Sequence, residues 1–158
     1  MSCLSCGAAT TPVLDFGRQP IANGFLREED FAKEFFYNLK VVVCDACELV
    51  QLGEVVDPSK LFGPRYPFRT ASSERMRIHF ADLADFAVGL GKPNLAVEIG
   101  ANDGTLLKAL SEQGVSGFGV DPSGGGWCIQ KFFTVETAEE LATIYGKVDL
   151  IIATNTIS

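Results

Sequence analysis

In the second half of the chain, short apolar runs alternate with stretches that are apolar on one side only. "NLAVEIG" reads as a buried strand over 95–99, and "GTLLKALSEQG" as a helix with Leu106, Leu107 and Leu110 on one face and Gly114 as its stop. "GFGVDPS" gives a second strand ending at Asp121, "ETAEELATIYG" a helix rich in Ala and Glu, and "VDLIIATN" a third strand with its apolar run at Leu150–Ala153. Before these, Met76, Phe80, Leu83, Ala87 and Leu90 recur at spacings of 4, 3, 4 and 3, the stripe of an amphipathic helix. Ser72 or Ser73 can cap its start, Gly89 and Gly91 end it, and Pro93 prevents continuation.

The first half has a different rhythm. "YNLKVVVCDAC" predicts a strand, Leu39–Val43, and "LVQLGEVVDPSKLF" a second short strand followed by a turn at Pro58. "DFGRQPIANGFL" (15–26) reads as a loop with Gly17, Pro20 and Gly24, anchored by Ile21, Phe25 and Leu26. "GPRYPFRTASS" (63–73) reads as a linker. Its Tyr66 and Phe68 either line a pocket or pack against the next domain. Strand–helix–strand order makes a mostly parallel sheet, whose ligand sits beyond the carboxyl ends of the strands. The expected fold is therefore α/β, a small β-rich domain over 1–68 followed by a second domain over 69–158.

Cysteine spacing changes the picture of the first domain. Cys3 and Cys6 form one CxxC pair, Cys44 and Cys47 another, and two such turns close a tetrahedral shell around Zn²⁺. Disulfides and a redox CxxC are the alternatives. A cytoplasmic chain disfavours the first, and duplication of the motif disfavours the second. Gly7 follows the first pair where a knuckle turn favours positive φ, whereas Glu48 follows the second. A metal would supply stability that so short a domain cannot draw from its own core. Four cysteines leave no open position for substrate, so the zinc is expected to be structural. Cys128 has no partner pattern.

The 158 residues carry 13 basic and 20 acidic side chains, a net charge of −7, with 47% apolar residues. That balance supports a packed core and argues against nucleic acid as a partner. "MSCLSCGAAT" lacks a basic stretch followed by an apolar run. No apolar segment approaches the roughly 18 residues of a membrane span. The expectation is a cytoplasmic chain with no membrane partner.

"VEIGANDGTLL" (97–107) carries the candidate chemistry. Glu98 and Gly100 enter a turn, and a helix begins near Gly104, where close backbone approach and the helix N-terminus favour a ligand. Asp121 closes the next strand about twenty residues on, where a carboxylate can accept both ribose hydroxyls of an adenosine. A dinucleotide prefers G-x-G-x-x-G, and Asp103 would face its pyrophosphate. S-adenosylmethionine carries no phosphate and fits E-x-G-x-x-x-G better. His79, the one histidine, lies beside the helical stripe and is either structural or a ligand contact.

With "CLSCG", "VCDACELVQLGEVVDPSKLF", "YPFRTASSERMRIHF", "EIGANDGTLLKAL" and "GVDPS", the chain resembles the zinc-binding, S-adenosylmethionine-dependent sugar C-methyltransferases (C-3 methyltransferase-like) that act on nucleotide-linked deoxysugars. The resemblance implies zinc on Cys3, Cys6, Cys44 and Cys47, and a partial Rossmann-like methyltransferase sheet. It implies that Glu98, Gly100, Asn102, Gly104 and Asp121 surround S-adenosylmethionine, with Asn155 at the rim and Tyr66 and His79 as candidates for the pocket wall. The implied chemistry removes a proton next to a sugar ketone, and the enolate carbon then attacks the sulfonium methyl. In the family a catalytic His-containing segment follows the strand that here ends in "ATNTIS". The expectation is that these residues are inactive alone, with no catalytic residue among them. An open sheet edge would then pair with another copy or with a missing C-terminal half. "DPSGGGWCIQKF" replaces a full helix of the family and reads as a flexible loop or the junction of a deletion. The competing expectation is a non-catalytic zinc-binding interaction module or remnant.

Overall fold

The computed structural model describes residues 1–22 and 24–156. Asn23, inside the predicted 15–26 loop, and Ile157 and Ser158, inside the terminal "ATNTIS", lie outside the described residues. The chain forms two compact units, Met1–Phe62 and Gly63–Ser158.

The first unit is a three-stranded antiparallel sheet in the order β1-β2-β3, with β1 at Thr10–Pro20, β2 at Phe36–Cys44 and β3 at Val50–Leu52. The stretch 15–20, expected as loop, is strand. Register shifts between Pro12 and Leu14 and between Asp15 and Arg18 absorb the extra residues as bulges. Pro12 and Pro20 are tolerated because β1 is an edge strand. Asp15 pairs with Lys40 across the strands at 2.9 Å. Phe25 does not anchor the loop, being 82% exposed. Val42 and Cys44 of β2 and Gln51 of β3 face inward, and Gln51 Oε1 accepts the Leu4 N–H at 2.8 Å. That bond ties the N-terminal segment to the sheet. The Pro58 turn is one helical turn, α1 (Pro58–Leu61), with Pro58 at its start and the Asp57 carboxylate accepting the Ser59 N–H.

The second unit is a four-stranded parallel sheet in the order β6-β5-β4-β7, with β4 at Leu95–Ile99, β5 at Ser116–Val120, β6 at Cys128–Ile129 and β7 at Leu150–Ala153. Helix α2 (Glu74–Gly91) starts at Ser73, whose hydroxyl accepts the Met76 N–H. Helix α3 spans Thr105–Glu112 and α4 spans Val135–Tyr145. Phe80, Ala84 and Ala87 of α2 pack with Leu106 and Leu110 of α3 and with Ala96 and Val115. The second cluster packs Leu141 of α4 on Val97, Phe118 and Val120, and the Tyr145 ring stacks on Phe118 at 4.2 Å. The buried face of α2 is rotated from the predicted stripe. Ala84 is fully buried while Leu90 is 68% exposed, because a 4-3-4-3 pattern drifts around the helix over five turns. Residues 121–127 join two parallel strands without a helix. The connection can be this short because β6 has two residues and sits directly beside β5, with Gly119 N–H donating to Trp127 O. Among the described residues, no helix is long and apolar enough to cross a membrane.

Candidate functional site

The first unit brings its four paired cysteines together. The Sγ atoms of Cys3, Cys6, Cys44 and Cys47 all lie within 4.8 Å of one another, with Cys3–Cys47 at 3.6 Å and Cys6–Cys44 at 3.5 Å. Thiolates at about 2.3 Å from a tetrahedral zinc would be separated by a little under 4 Å, so the cluster fits that ion. The two turns repeat each other. Cys3 N–H donates to Ala8 O and Gly7 N–H to Cys3 O; Cys44 N–H donates to Leu49 O and Glu48 N–H to Cys44 O. Gly7 (φ 76) and Glu48 (φ 62) take the same left-handed conformation, so the second knuckle forms despite its side chain. The Cys47 and Ala46 amides donate to Cys44 Sγ and hold its thiol down to about 6. The Leu49 amide also favours the Cys47 thiolate, but the neighbouring thiols of Cys6, Cys44 and Cys3 outweigh it and push Cys47 up to about 12. Four thiols this close ionise together only around a cation.

The second unit gathers acid at the carboxyl end of β4. Glu98 is 2% exposed, and its Oε2 has no hydrogen-bond partner among the described residues. Burial, with Asp103 and Asp121 nearby, pushes its carboxyl up to about 8. Such a group is held neutral near pH 7 or is waiting for a cation. Asp121 is buried. Its Oδ2 accepts the Asn102 N–H at 2.9 Å, and its Oδ1 accepts the Ser123 N–H and hydroxyl at 2.7 and 2.6 Å. Gly100 and Gly104 sit at φ 73 and 78 with no room for a side chain. A Cβ on Gly100 would collide with Thr156, and one on Gly104 would lie 2.8 Å from Trp127 Cβ.

The remaining predicted residues stand at different removes from this turn. Asn155 is exposed just beyond β7, and the next residue, Thr156, donates to Ile99 O at 3.2 Å, which places this end of β7 beside the turn. Tyr66 is half-buried with its ring 5.7 Å from that of Phe68. His79 is exposed on α2 with its ring edge-on to Phe80, and no hydrogen bond among the described residues joins it to the turn. Arg69, Ser123, Trp127 and Thr156 meet the turn or the Asp121 loop with no signal in their own neighbourhood of the sequence. Asp103 alone carried a local signal, the Asp-x-Thr spacing in which its Oδ1 accepts from Thr105.

Residues 3–62 match the family model described as "Putative zinc binding domain". The chain is also 35% identical over 152 residues to the C-methyltransferase NovU of Streptomyces niveus, a match covering 88% of this chain and 36% of the relative. Together the two matches support a likeness to the N-terminal portion of the zinc-binding C-methyltransferases. The domain matched at residues 3–62 contains all four clustered cysteines and ends where the first compact unit ends. A match over 88% of the chain must run on into the second unit, so the methyltransferase likeness is not confined to the metal module. The chain spans about a third of the length of this C-methyltransferase relative.

Proposed function

We propose that these residues form the zinc module and the S-adenosylmethionine-binding part of a C-methyltransferase that acts on a nucleotide-linked keto-deoxysugar. In this reading Cys3, Cys6, Cys44 and Cys47 hold a structural Zn²⁺, and the parallel sheet is a partial Rossmann-like methyltransferase sheet. The observation that carries the cofactor assignment is the buried, partnerless Glu98 oxygen among Asp103 and Asp121, a site that fits a cationic group. Glu98 would meet the cofactor's ammonium. Asp121 would take the ribose hydroxyls with the lone pairs left after its bonds to Asn102 and Ser123. Gly100, Asn102 and Gly104 would shape the turn, and Asn155, Tyr66 and His79 would stand toward the pocket wall. When bound, the cofactor supplies an electrophilic methyl group. No residue described here is assigned the removal of the substrate proton, and the complete reaction is assigned to the full length of the family.

The sugar substrate rests on the family resemblance, and C-methyl transfer on the named relative. One observation favours a second reading, a non-catalytic zinc module. Thr156 and Trp127 of this same chain occupy the space above Gly100 and Gly104. Equilibrium titration of S-adenosylmethionine into the zinc-loaded chain separates the two. The methyltransferase reading expects one saturable site, weakened at least tenfold by Glu98→Gln. A folded, zinc-loaded chain that binds none supports the second reading.

A further inference from the structure

The Asn-Asp pair of the turn spends its side chains on another part of the same unit. Asn102 Nδ2 donates to Phe68 O at 3.0 Å, and Thr70 N–H donates to Asn102 Oδ1 at 3.3 Å. Ala71 N–H donates to Asp103 Oδ2 at 2.8 Å. Arg69 Nη1 reaches across to Ser123 O at 2.9 Å, on the loop whose Ser123 also binds Asp121. Four bonds therefore hold residues 68–71 against the turn and the Asp121 loop. The segment belongs to no strand. A short 3-10 turn, Thr70–Ser72, ends it before α2. The apolar clusters of this unit contain none of its residues.

We propose that Asn102 and Asp103 act as a clasp, holding residues 68–71 as a strap against the turn and so positioning Phe68 and the neighbouring Tyr66 beside the ligand. This rests on the reading of the turn as the S-adenosylmethionine site. It changes the role expected for Asn102. Its amide oxygen and nitrogen are both engaged by the strap, so it acts on the ligand as a positioning residue. Asp103, unfavourable beside a phosphate, has its carboxylate shared between Ala71 and Thr105. The four hydrogen bonds named above join the strap to the turn and the Asp121 loop, and none of its residues belongs to either apolar cluster, so it can open with both clusters intact.

Amide hydrogen exchange at Thr70 and Ala71 tests the clasp directly. Dissociation of S-adenosylmethionine, followed by emission of Trp127, tests its consequence. Asn102→Ala and Asp103→Ala should speed exchange at both amides at least tenfold, with protection in β4 retained, and should speed dissociation severalfold. Asp103→Asn keeps an acceptor for Ala71 and should restore wild-type exchange. Arg69→Ala leaves the turn untouched and should loosen the strap about threefold. Weaker binding with unchanged exchange at Thr70 and Ala71 would show that Asn102 touches the ligand itself, and would overturn the clasp. If the wild-type chain binds no S-adenosylmethionine, the cofactor reading fails, while the exchange data still decide whether the clasp exists.

Discussion

The two units solve the problem of staying folded in different ways. In the first, the described apolar side chains that are buried are Cys3, Val42 and Cys44, two of them members of the sulfur cluster. In the second, two clusters of Phe, Leu, Val and Ala pack both faces of a parallel sheet. A unit of some sixty residues has little interior to bury, and a metal held by the cysteine cluster would join segments about forty residues apart and stand in for a core. The polar sites differ correspondingly. Unit one brings four thiols together where an ion would complete them, whereas unit two leaves one oxygen of Glu98 without a hydrogen-bond partner among the described residues, at the end of a strand. The lesson is that a buried polar group is structural where its neighbours complete it, and points to a ligand where they do not.

The contrast breaks most visibly when metal is withdrawn. Chelation, or Cys44→Ser, should remove protection from amide exchange throughout residues 1–62 while β4 and β5 stay protected. Structural zinc in small domains contributes on the order of 10 kcal/mol. Retained protection in β1 and β2 would mean that the sheet stands without the ion. Next in size is Leu106→Ala, which empties a fully buried position between α3 and α2. It should cost the second unit about 2–5 kcal/mol in urea unfolding and leave zinc content unchanged. The smallest effect sharpens the likeness of the knuckles. Glu48→Gly relieves a left-handed residue and should raise the stability of the first unit by up to about 1 kcal/mol, read from its urea midpoint. A loss instead would show that the Glu48 side chain has a favourable partner.

Features written in neighbouring residues were legible in the sequence. Leu106, Leu107 and Leu110 on one helical face, a serine cap at 72 or 73 (Ser73 in the fold) and the Leu150–Ala153 strand all depend on spacing or on a residue within one turn. The two CxxC pairs were legible because each knuckle is local, although the chain brings them together across about forty residues. What stayed hidden depends on partners far along the chain. The stretch 15–20 is strand because β2 pairs with it through bulges, and nothing within 15–20 announces that pairing. Residues 68–71 looked like linker because their bonds go to side chains more than thirty positions on. Trp127 over Gly104 and Thr156 over Gly100 are close approaches that a sequence motif does not encode.

The direct test of the account is the proton balance when S-adenosylmethionine binds, from calorimetry at pH 7 in two buffers of different ionisation enthalpy. Glu98, held at about 8, is mostly protonated at pH 7 and must ionise to pair with an ammonium. Binding at pH 7 is expected to release nearly one proton per ligand, falling toward zero above about pH 9, with the release abolished in Glu98→Gln. Saturable binding with no proton released, in wild type and variant alike, would contradict the assignment of Glu98 as the cation-meeting group.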